Sequence, residues 1–130
     1  MMNNAPACPP GRTDLVSDKR VYFLLWRLPW LAIAASFLLK DSSLKTGIWS
    51  IAFTQMGVAC IANASGCGRT HCFFTGPLYL LAAVASFFKG SGRLPIPWPV
   101  LGGLTCLGIC VLRWLPERLW GTYATRSPRM

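Results

Sequence analysis

Four apolar stretches alternate with short polar connectors along this chain. They cover residues 21–39, 46–64, 73–88 and 97–115. A helix needs about 20 apolar residues to cross about 30 Å of hydrocarbon, and the third stretch is close to the lower limit. The pattern therefore predicts an all-α fold, a four-helix transmembrane bundle. A flexible N-terminal tail (residues 1–20) precedes it, and a basic interfacial tail (residues 116–130) follows it.

The composition agrees with a membrane protein. Hydrophobic residues make up 53% of the chain and charged residues 13%, whereas soluble domains carry about 25% charged residues. The net charge of +9 comes from Lys and Arg residues that lie mostly beside the apolar stretches. That placement favours the lipid bilayer as a partner and argues against nucleic acid, which requires a basic face on a soluble fold. Four short helices leave little room for a transport pathway within a single bundle, so a homo-oligomer or a membrane protein partner is also expected.

The distribution of basic residues predicts an orientation. With four spans, both termini lie on the same side as the central loop. That side carries Arg12, Lys19, Arg20, Arg69, Arg113, Arg118, Arg126 and Arg129, and the other side carries Lys40, Lys45, Lys89 and Arg93. The positive-inside rule then places both termini in the cytoplasm, with the helices in a prokaryotic cytoplasmic membrane.

Two residues interrupt the first stretch. Pro29 is expected to kink the helix. Arg27 lies inside the apolar run, and a charge within a membrane span is a functional candidate. The alternative is that Arg27 extends its side chain back to the near interface, as long basic side chains do close to helix ends.

Small and weakly polar residues predict helix contacts in the later stretches. In the second stretch, Gln55 and Asn63 are expected to hydrogen-bond between helices, and one small face is formed by Gly47, Ser50, Thr54 and Gly57. Small residues let helices approach closely in lipid. In the fourth stretch, Gly102, Cys106 and Cys110 share a face at four-residue steps, and we interpret them as a packing surface in the same way. The alternative for Cys110, which lies near the cytoplasmic face, is that its thiol approaches those of the central loop.

The candidate chemistry is concentrated in residues 65–72 (SGCGRTHC), which we predict to be a loop. It contains Cys67, Cys72 and His71, the single histidine of the chain. Cys60 lies about one helical turn before it. Thiolate and imidazole ligands suit Cu(I), Zn(II) or Hg(II). Arg69 in the loop would favour the thiolate form. Thr75 is expected to cap the third helix, with Gly76 following it and Pro77 in the first turn.

Three functions remain open at this point. The first is a membrane protein that binds or transports a soft metal ion through Cys67, His71 and Cys72, with Cys60. The second is an accessory or structural subunit whose loop contacts a partner through Arg69 and residues 75–77. The third is a thiol redox protein in which Cys67 and Cys72 cycle. A cytoplasmic loop keeps these cysteines reduced. A hydrolase or transferase is not expected, because the four acidic residues supply no recognisable catalytic set.

The run from Cys67 to Pro77 (CGRTHCFFTGP) carries a resemblance. It resembles a signature of small prokaryotic multi-helix membrane proteins of unknown function, in which Cys-Gly-Arg-x-His-Cys and an aromatic residue precede Thr-Gly-Pro and a hydrophobic helix. The resemblance implies a membrane location and no particular activity. Small mercury-transport proteins also combine few helices with paired thiols, but this chain lacks their adjacent Cys-Cys pair in the first helix.

Overall fold

The structure is a computed structural model that describes residues 18–67 and 70–120. This part of the chain is helical and contains no strand. The helical elements are α1 (Lys19–Tyr22), a π-helical segment (Phe23–Arg27), α2 (Leu28–Ser36), α3 (Ser42–Cys67), α4 (Thr70–Gly90) and α5 (Trp98–Trp120). The first three follow one another directly and form one N-terminal helix. Among the described helices, three are long and apolar enough to cross a membrane, over Ser42–Gly66, Thr70–Gly90 and Trp98–Leu119. The N-terminal helix, which corresponds to the first predicted span, is not among them.

The irregularity expected at Pro29 takes the form of the π-helical segment just before it. There the Leu28 N–H donates to the Phe23 carbonyl, five residues back. In this register the partner of the Leu24 carbonyl would be Pro29, which has no N–H. The Gln55 side chain donates its Nε2 to that carbonyl at 2.9 Å. The interhelical hydrogen bond predicted for Gln55 is thereby confirmed.

The N-terminal helix packs antiparallel to α3. At one end the Trp26 indole N–H donates to the Cys60 thiol at 3.3 Å. At the other end the Trp49 indole N–H donates to the Ser36 hydroxyl at 2.8 Å. Since the residue numbers rise along one helix and fall along the other, the two run in opposite directions.

Helix α4 pairs extensively with α3, and α5 pairs with α4. The Ser50 hydroxyl of α3 donates to the Ala83 carbonyl of α4 at 3.5 Å. A Cβ at Gly108 of α5 would meet the Leu78 side chain of α4 at 2.9 Å. The N-terminal helix and α5 therefore lie beside the central α3–α4 pair, and the space between them matters for the site described below.

Glycines allow the close approach of α3 and α4. A Cβ at Gly57 would lie 2.8 Å from Leu80 Cδ2, and a Cβ at Gly76 would lie 2.8 Å from Ile61 Cγ1. These distances are too short for ordinary van der Waals contact, so both positions favour glycine. Gly47, by contrast, has nothing within 4 Å. The small face predicted for α3 therefore contributes to packing at Gly57 and not at Gly47.

The interior and the outer surface of the helices differ as in a membrane protein. Trp49, Phe53 and Met56 of α3 are completely buried. Large apolar side chains face outward, including Ile51, which is 70% exposed, and Leu81, which is 66% exposed. Apolar groups exposed to this degree along several helices are compatible with contact to lipid chains.

The predicted loop at residues 65–72 is wrong for most of its length. Helix α3 continues to Cys67 and α4 begins at Thr70, so His71 and Cys72 are helical. Thr75 does not cap the helix, because its hydroxyl donates to the His71 carbonyl one turn back, at 2.9 Å. Pro77 lies inside α4 and not in its first turn.

The predicted ends of other helices also shift. The connector predicted up to Lys45 is helical from Ser42, where the Asp41 carboxylate accepts the Ser43 N–H at 2.9 Å. Pro116 does not end α5, which continues to Trp120. Of the predicted tails, residues 1–17 and 121–130 lie outside the described residues.

Candidate functional site

Two buried thiols meet where α3 and α4 cross. Cys60 of α3 is 1% exposed, and Cys72 of α4 is fully buried. Neither forms a disulfide. Thr75, one turn after Cys72 in α4, donates its hydroxyl to Cys60 Sγ at 3.6 Å, which places the two thiols near each other. The sequence places these residues twelve positions apart, so it is the antiparallel helix pairing that makes them neighbours.

Polar donors from three helices are directed at the two sulfur atoms. The Trp26 indole N–H contacts Cys60 Sγ at 3.3 Å, and the Thr75 hydroxyl contacts the same sulfur at 3.6 Å. The Asn63 amide N–H donates to Cys72 Sγ at 3.6 Å, which confirms the interhelical hydrogen bond predicted for Asn63. Hydrogen-bond donors stabilise negative charge on an acceptor, so this environment can compensate a buried thiolate.

His71 connects this thiol pair to α5. Its Nδ1 lies 2.6 Å from Glu117 Oε1, and its Nε2 lies 3.5 Å from Cys72 Sγ. An ionised carboxylate only accepts hydrogen bonds, so we assign the Nδ1 proton to the contact with Glu117. Nε2 is then directed at the Cys72 thiol, where it can accept a proton.

A pocket of about 200 Å³ opens beside the thiol pair, between the N-terminal helix and α5. It is far larger than the roughly 10–15 Å³ that one water molecule requires. Its walls are mainly aromatic and aliphatic, and its polar groups include thiols, an imidazole and a guanidinium. The lining residues are Tyr22, Trp26, Trp30, Cys60, His71, Thr75, Tyr79, Cys106, Ile109, Cys110 and Arg113.

Within the described chain, Cys106 and Cys110 are not packed against another helix, and Cys110 lies at the same pocket as Cys60 and His71, as its alternative role requires. Both are exposed free thiols, and both line the pocket. Gly102, on the same face, does pack closely, since a Cβ there would lie 2.9 Å from the Trp49 ring. From one turn further along, however, this face of α5 borders the pocket and does not contact another helix. The two thiols are therefore left uncovered.

The predicted metal ligands are brought together only in part. Cys60, His71 and Cys72 lie next to one another, as the contacts above describe. The side chain of Cys67 lies outside the described residues, and Gly68 and Arg69 do as well. Among the described side chains, no three His, Cys, Asp or Glu residues are arranged to hold a metal ion.

The remaining candidates have different surroundings. Gly76 lies in the α3–α4 contact, and Pro77 is part of α4. Arg27 is exposed, and its guanidinium lies 5.9 Å from the centre of the Tyr22 ring. Tyr22 is nearer the start of the helix, so the Arg27 side chain extends in the direction that the snorkelling alternative requires.

Three residues of the site were missed by sequence reasoning. They are Trp26, Arg113 and Glu117. Glu117 is the single glutamate of the chain and occurs near the end of an apolar stretch, which is a signal that could have found it. For Trp26 and Arg113 there was no comparable signal, because tryptophan and arginine are common at membrane interfaces.

No protein-family model, curated protein or solved structure matches this chain.

Proposed function

We propose that this chain is an integral membrane protein that binds a soft metal ion, Cu(I) or Hg(II), between the thiols of Cys60 and Cys72. One observation carries this proposal. Two cysteines from different helices are buried where α3 and α4 pack together, and side-chain donors from three helices are directed at their sulfur atoms. A soft ion binds thiolates in preference to oxygen ligands.

The number of ligands distinguishes between the candidate ions. Zn(II) in structural sites takes four ligands, and the described side chains do not supply even three. Cu(I) and Hg(II) accept two thiolates in a linear arrangement. With metal–sulfur bonds of about 2.3 Å, the two sulfurs would stand about 4.6 Å apart around such an ion. Zinc would need Cys67 and His71 as additional ligands.

His71 and Glu117 have a supporting role in this proposal. A thiol must lose its proton to become a ligand. The His71 Nε2, 3.5 Å from Cys72 Sγ, is positioned to accept that proton. The resulting imidazolium would be stabilised by the Glu117 carboxylate at 2.6 Å, because opposite charges at this distance attract strongly in a region of low dielectric.

The membrane location is supported by the three helices of sufficient length and apolar character. It is also supported by the large apolar side chains on their outer faces. We propose that the N-terminal helix is a fourth span, and that the protein lies in a prokaryotic cytoplasmic membrane with both termini in the cytoplasm, on the basis of the Lys and Arg distribution. In that orientation the thiol pair lies near the cytoplasmic ends of α3, α4 and α5, and a cytoplasmic ion would reach it without crossing the bilayer.

A second candidate function rests on the same pair of buried thiols. Two adjacent thiols can form a disulfide, releasing two protons and two electrons to an oxidant such as a quinone or another disulfide. His71 would then act as the base that activates Cys72. In this function Cys60 and Cys72 are both required, whereas His71→Ala retains part of the activity.

The test is a Cu(I) titration of the detergent-purified protein under anaerobic conditions, in competition with a chromophoric Cu(I) chelator. We expect tight binding by the wild-type protein and the loss of one equivalent in Cys60→Ser/Cys72→Ser. Cys8→Ser is the matched control, because it removes a thiol from the N-terminal tail, and it should bind as the wild type does.

Equal binding by Cys60→Ser/Cys72→Ser and Cys8→Ser would refute the metal site. The redox alternative is tested on the same samples by counting free thiols after exposure to a soluble quinone. Loss of two thiols in the wild type and none in Cys60→Ser/Cys72→Ser, without Cu(I) binding, would replace the metal function with the redox function.

A further inference from the structure

The two cysteines of α5 form a second thiol pair. Cys106 and Cys110 are one helical turn apart, and residues at this spacing have neighbouring side chains, with Cβ atoms about 5–6 Å apart. Both also line the same pocket, so the two thiols are on one side of α5. Both are free and exposed, so neither is occupied by packing against another helix.

This second pair borders the same pocket as the first. Cys106 and Cys110 line it from α5, and Cys60 and His71 line it from α3 and α4. Cys72 does not line the pocket and is fully buried. In the proposed orientation Cys106 and Cys110 lie farther from the cytoplasmic ends of the helices than Cys60 and Cys72 do. An ion that moves along the pocket towards the cytoplasm would therefore meet Cys106 and Cys110 first, then Cys60, and Cys72 last.

The other pocket walls restrict what can pass. Trp26, Trp30 and Tyr79 offer aromatic surfaces. Such surfaces do not replace the water shell of a strongly hydrated cation. The thiols and the His71 imidazole are soft or borderline ligands, and they fit a soft ion better than Mg(II) or Ca(II). Arg113 adds a positive charge at the pocket. A Cu(I) ion with two thiolates carries a net charge of −1, which this guanidinium would partly compensate.

We propose that Cys106 and Cys110 form a second soft-metal site and that the ion passes from this pair to Cys60 and Cys72 across the pocket. The transfer rests on the proposed function at Cys60 and Cys72, whereas the second site is independent of it. Each step of the transfer is a ligand exchange. One metal–sulfur bond forms at Cys60 as one breaks at Cys106 or Cys110. The proton of the Cys60 thiol passes to the sulfur that is released, so neither the oxidation state nor the total charge changes.

The experiment is the anaerobic Cu(I) titration with three proteins: the wild type, Cys106→Ser/Cys110→Ser and Cys60→Ser/Cys72→Ser. We expect two equivalents in the wild type and one in each double variant. Serine is close to cysteine in size, and positions 106 and 110 are exposed, so the α5 variant should fold. Its circular dichroism and its elution in size-exclusion chromatography verify this. Cys8→Ser again serves as the control and should bind two equivalents.

The transfer is tested by the rate at which the buried pair fills. When Cu(I) is supplied as its chelator complex, Cys106→Ser/Cys110→Ser should load its single site more slowly than the wild type loads the same site. Unchanged stoichiometry in Cys106→Ser/Cys110→Ser would overturn the second site. Loss of one equivalent with an unchanged loading rate would overturn the transfer.

The two proposals fail in different ways. If only the α5 variant loses an equivalent, the proposed function at Cys60 and Cys72 is wrong and the second site is correct. If only the Cys60→Ser/Cys72→Ser variant loses one, the second site is wrong and the proposed function is correct.

Discussion

Gly76→Ala tests the close helix contact on which the thiol pair depends. The added methyl group would lie 2.8 Å from Ile61 Cγ1 and 3.4 Å from the Ile61 backbone nitrogen. Because isoleucine is branched at Cβ and restricted in its rotamers, the contact is relieved mainly by moving the two helices apart. Overpacking of this kind costs about 1–3 kcal/mol.

The matched control is Gly47→Ala in α3, where a methyl group meets nothing within 4 Å. Both substitutions gain the same helix propensity, about 1 kcal/mol, and this gain cancels when the two variants are compared. We therefore expect Gly76→Ala to be less stable than Gly47→Ala by about 1–3 kcal/mol.

The assay is equilibrium unfolding by SDS in mixed micelles, followed by tryptophan fluorescence and circular dichroism. Ile61 and Gly76 directly follow Cys60 and Thr75 in the sequence, so a separation of the helices should also weaken Cu(I) binding in Gly76→Ala and leave it unchanged in Gly47→Ala. Equal stability of the two variants would refute the interpretation of Gly76 as a point of close approach.

Two further predictions concern polar contacts between helices. Glu117→Gln should weaken Cu(I) binding by about 10- to 100-fold, the usual effect of removing a group that orients a ligand or its base, and His71→Ala should weaken it at least as much. Competition with the chelator measures both, and wild-type affinity in both would contradict the role assigned to this pair. Gln55→Leu should lower the free energy of unfolding by about 1–3 kcal/mol, because it leaves the Leu24 carbonyl without its donor. Adding Pro29→Ala, which restores a backbone N–H, should recover most of that loss in SDS unfolding, and no recovery would contradict the explanation of the π-helical segment.

The sequence predicted the helical class and the approximate positions of the helices, because long apolar runs have few other solutions. It was less successful at the helix ends. Residues 65–72 are rich in Gly, Ser and Thr, which favours a turn, yet all but residues 68 and 69 are described as helix. Pro116 was expected to end α5. A proline removes one hydrogen bond and does not prevent a helix from continuing when tertiary contacts support it, and here Glu117 contacts His71 at 2.6 Å.

From the sequence, only those residues of the site that lie near one another along the chain could be predicted. Cys60, His71 and Cys72 stood out because they flank one helix-to-helix connection. Glu117 lies 46 positions from His71, and Cys106 and Cys110 belong to another helix. Their proximity depends on how α5 packs against α4, which hydrophobic periodicity does not specify. A sequence pattern for close packing also cannot show which part of a face borders a pocket. For this reason Cys106 was not expected there, whereas the depth of Cys110 in the membrane had allowed a position near Cys60 and His71.

The most direct test of the central claim is X-ray absorption at the copper edge of Cys106→Ser/Cys110→Ser loaded with one equivalent of Cu(I). In this variant, binding is limited to the buried pair among the four described thiols. The account predicts two sulfur neighbours in the first coordination shell, at about 2.2–2.3 Å, and their loss when Cys60 and Cys72 are also replaced by serine. A shell of nitrogen or oxygen atoms, or the same sulfur shell after that replacement, would contradict the assignment of Cys60 and Cys72 as the metal ligands.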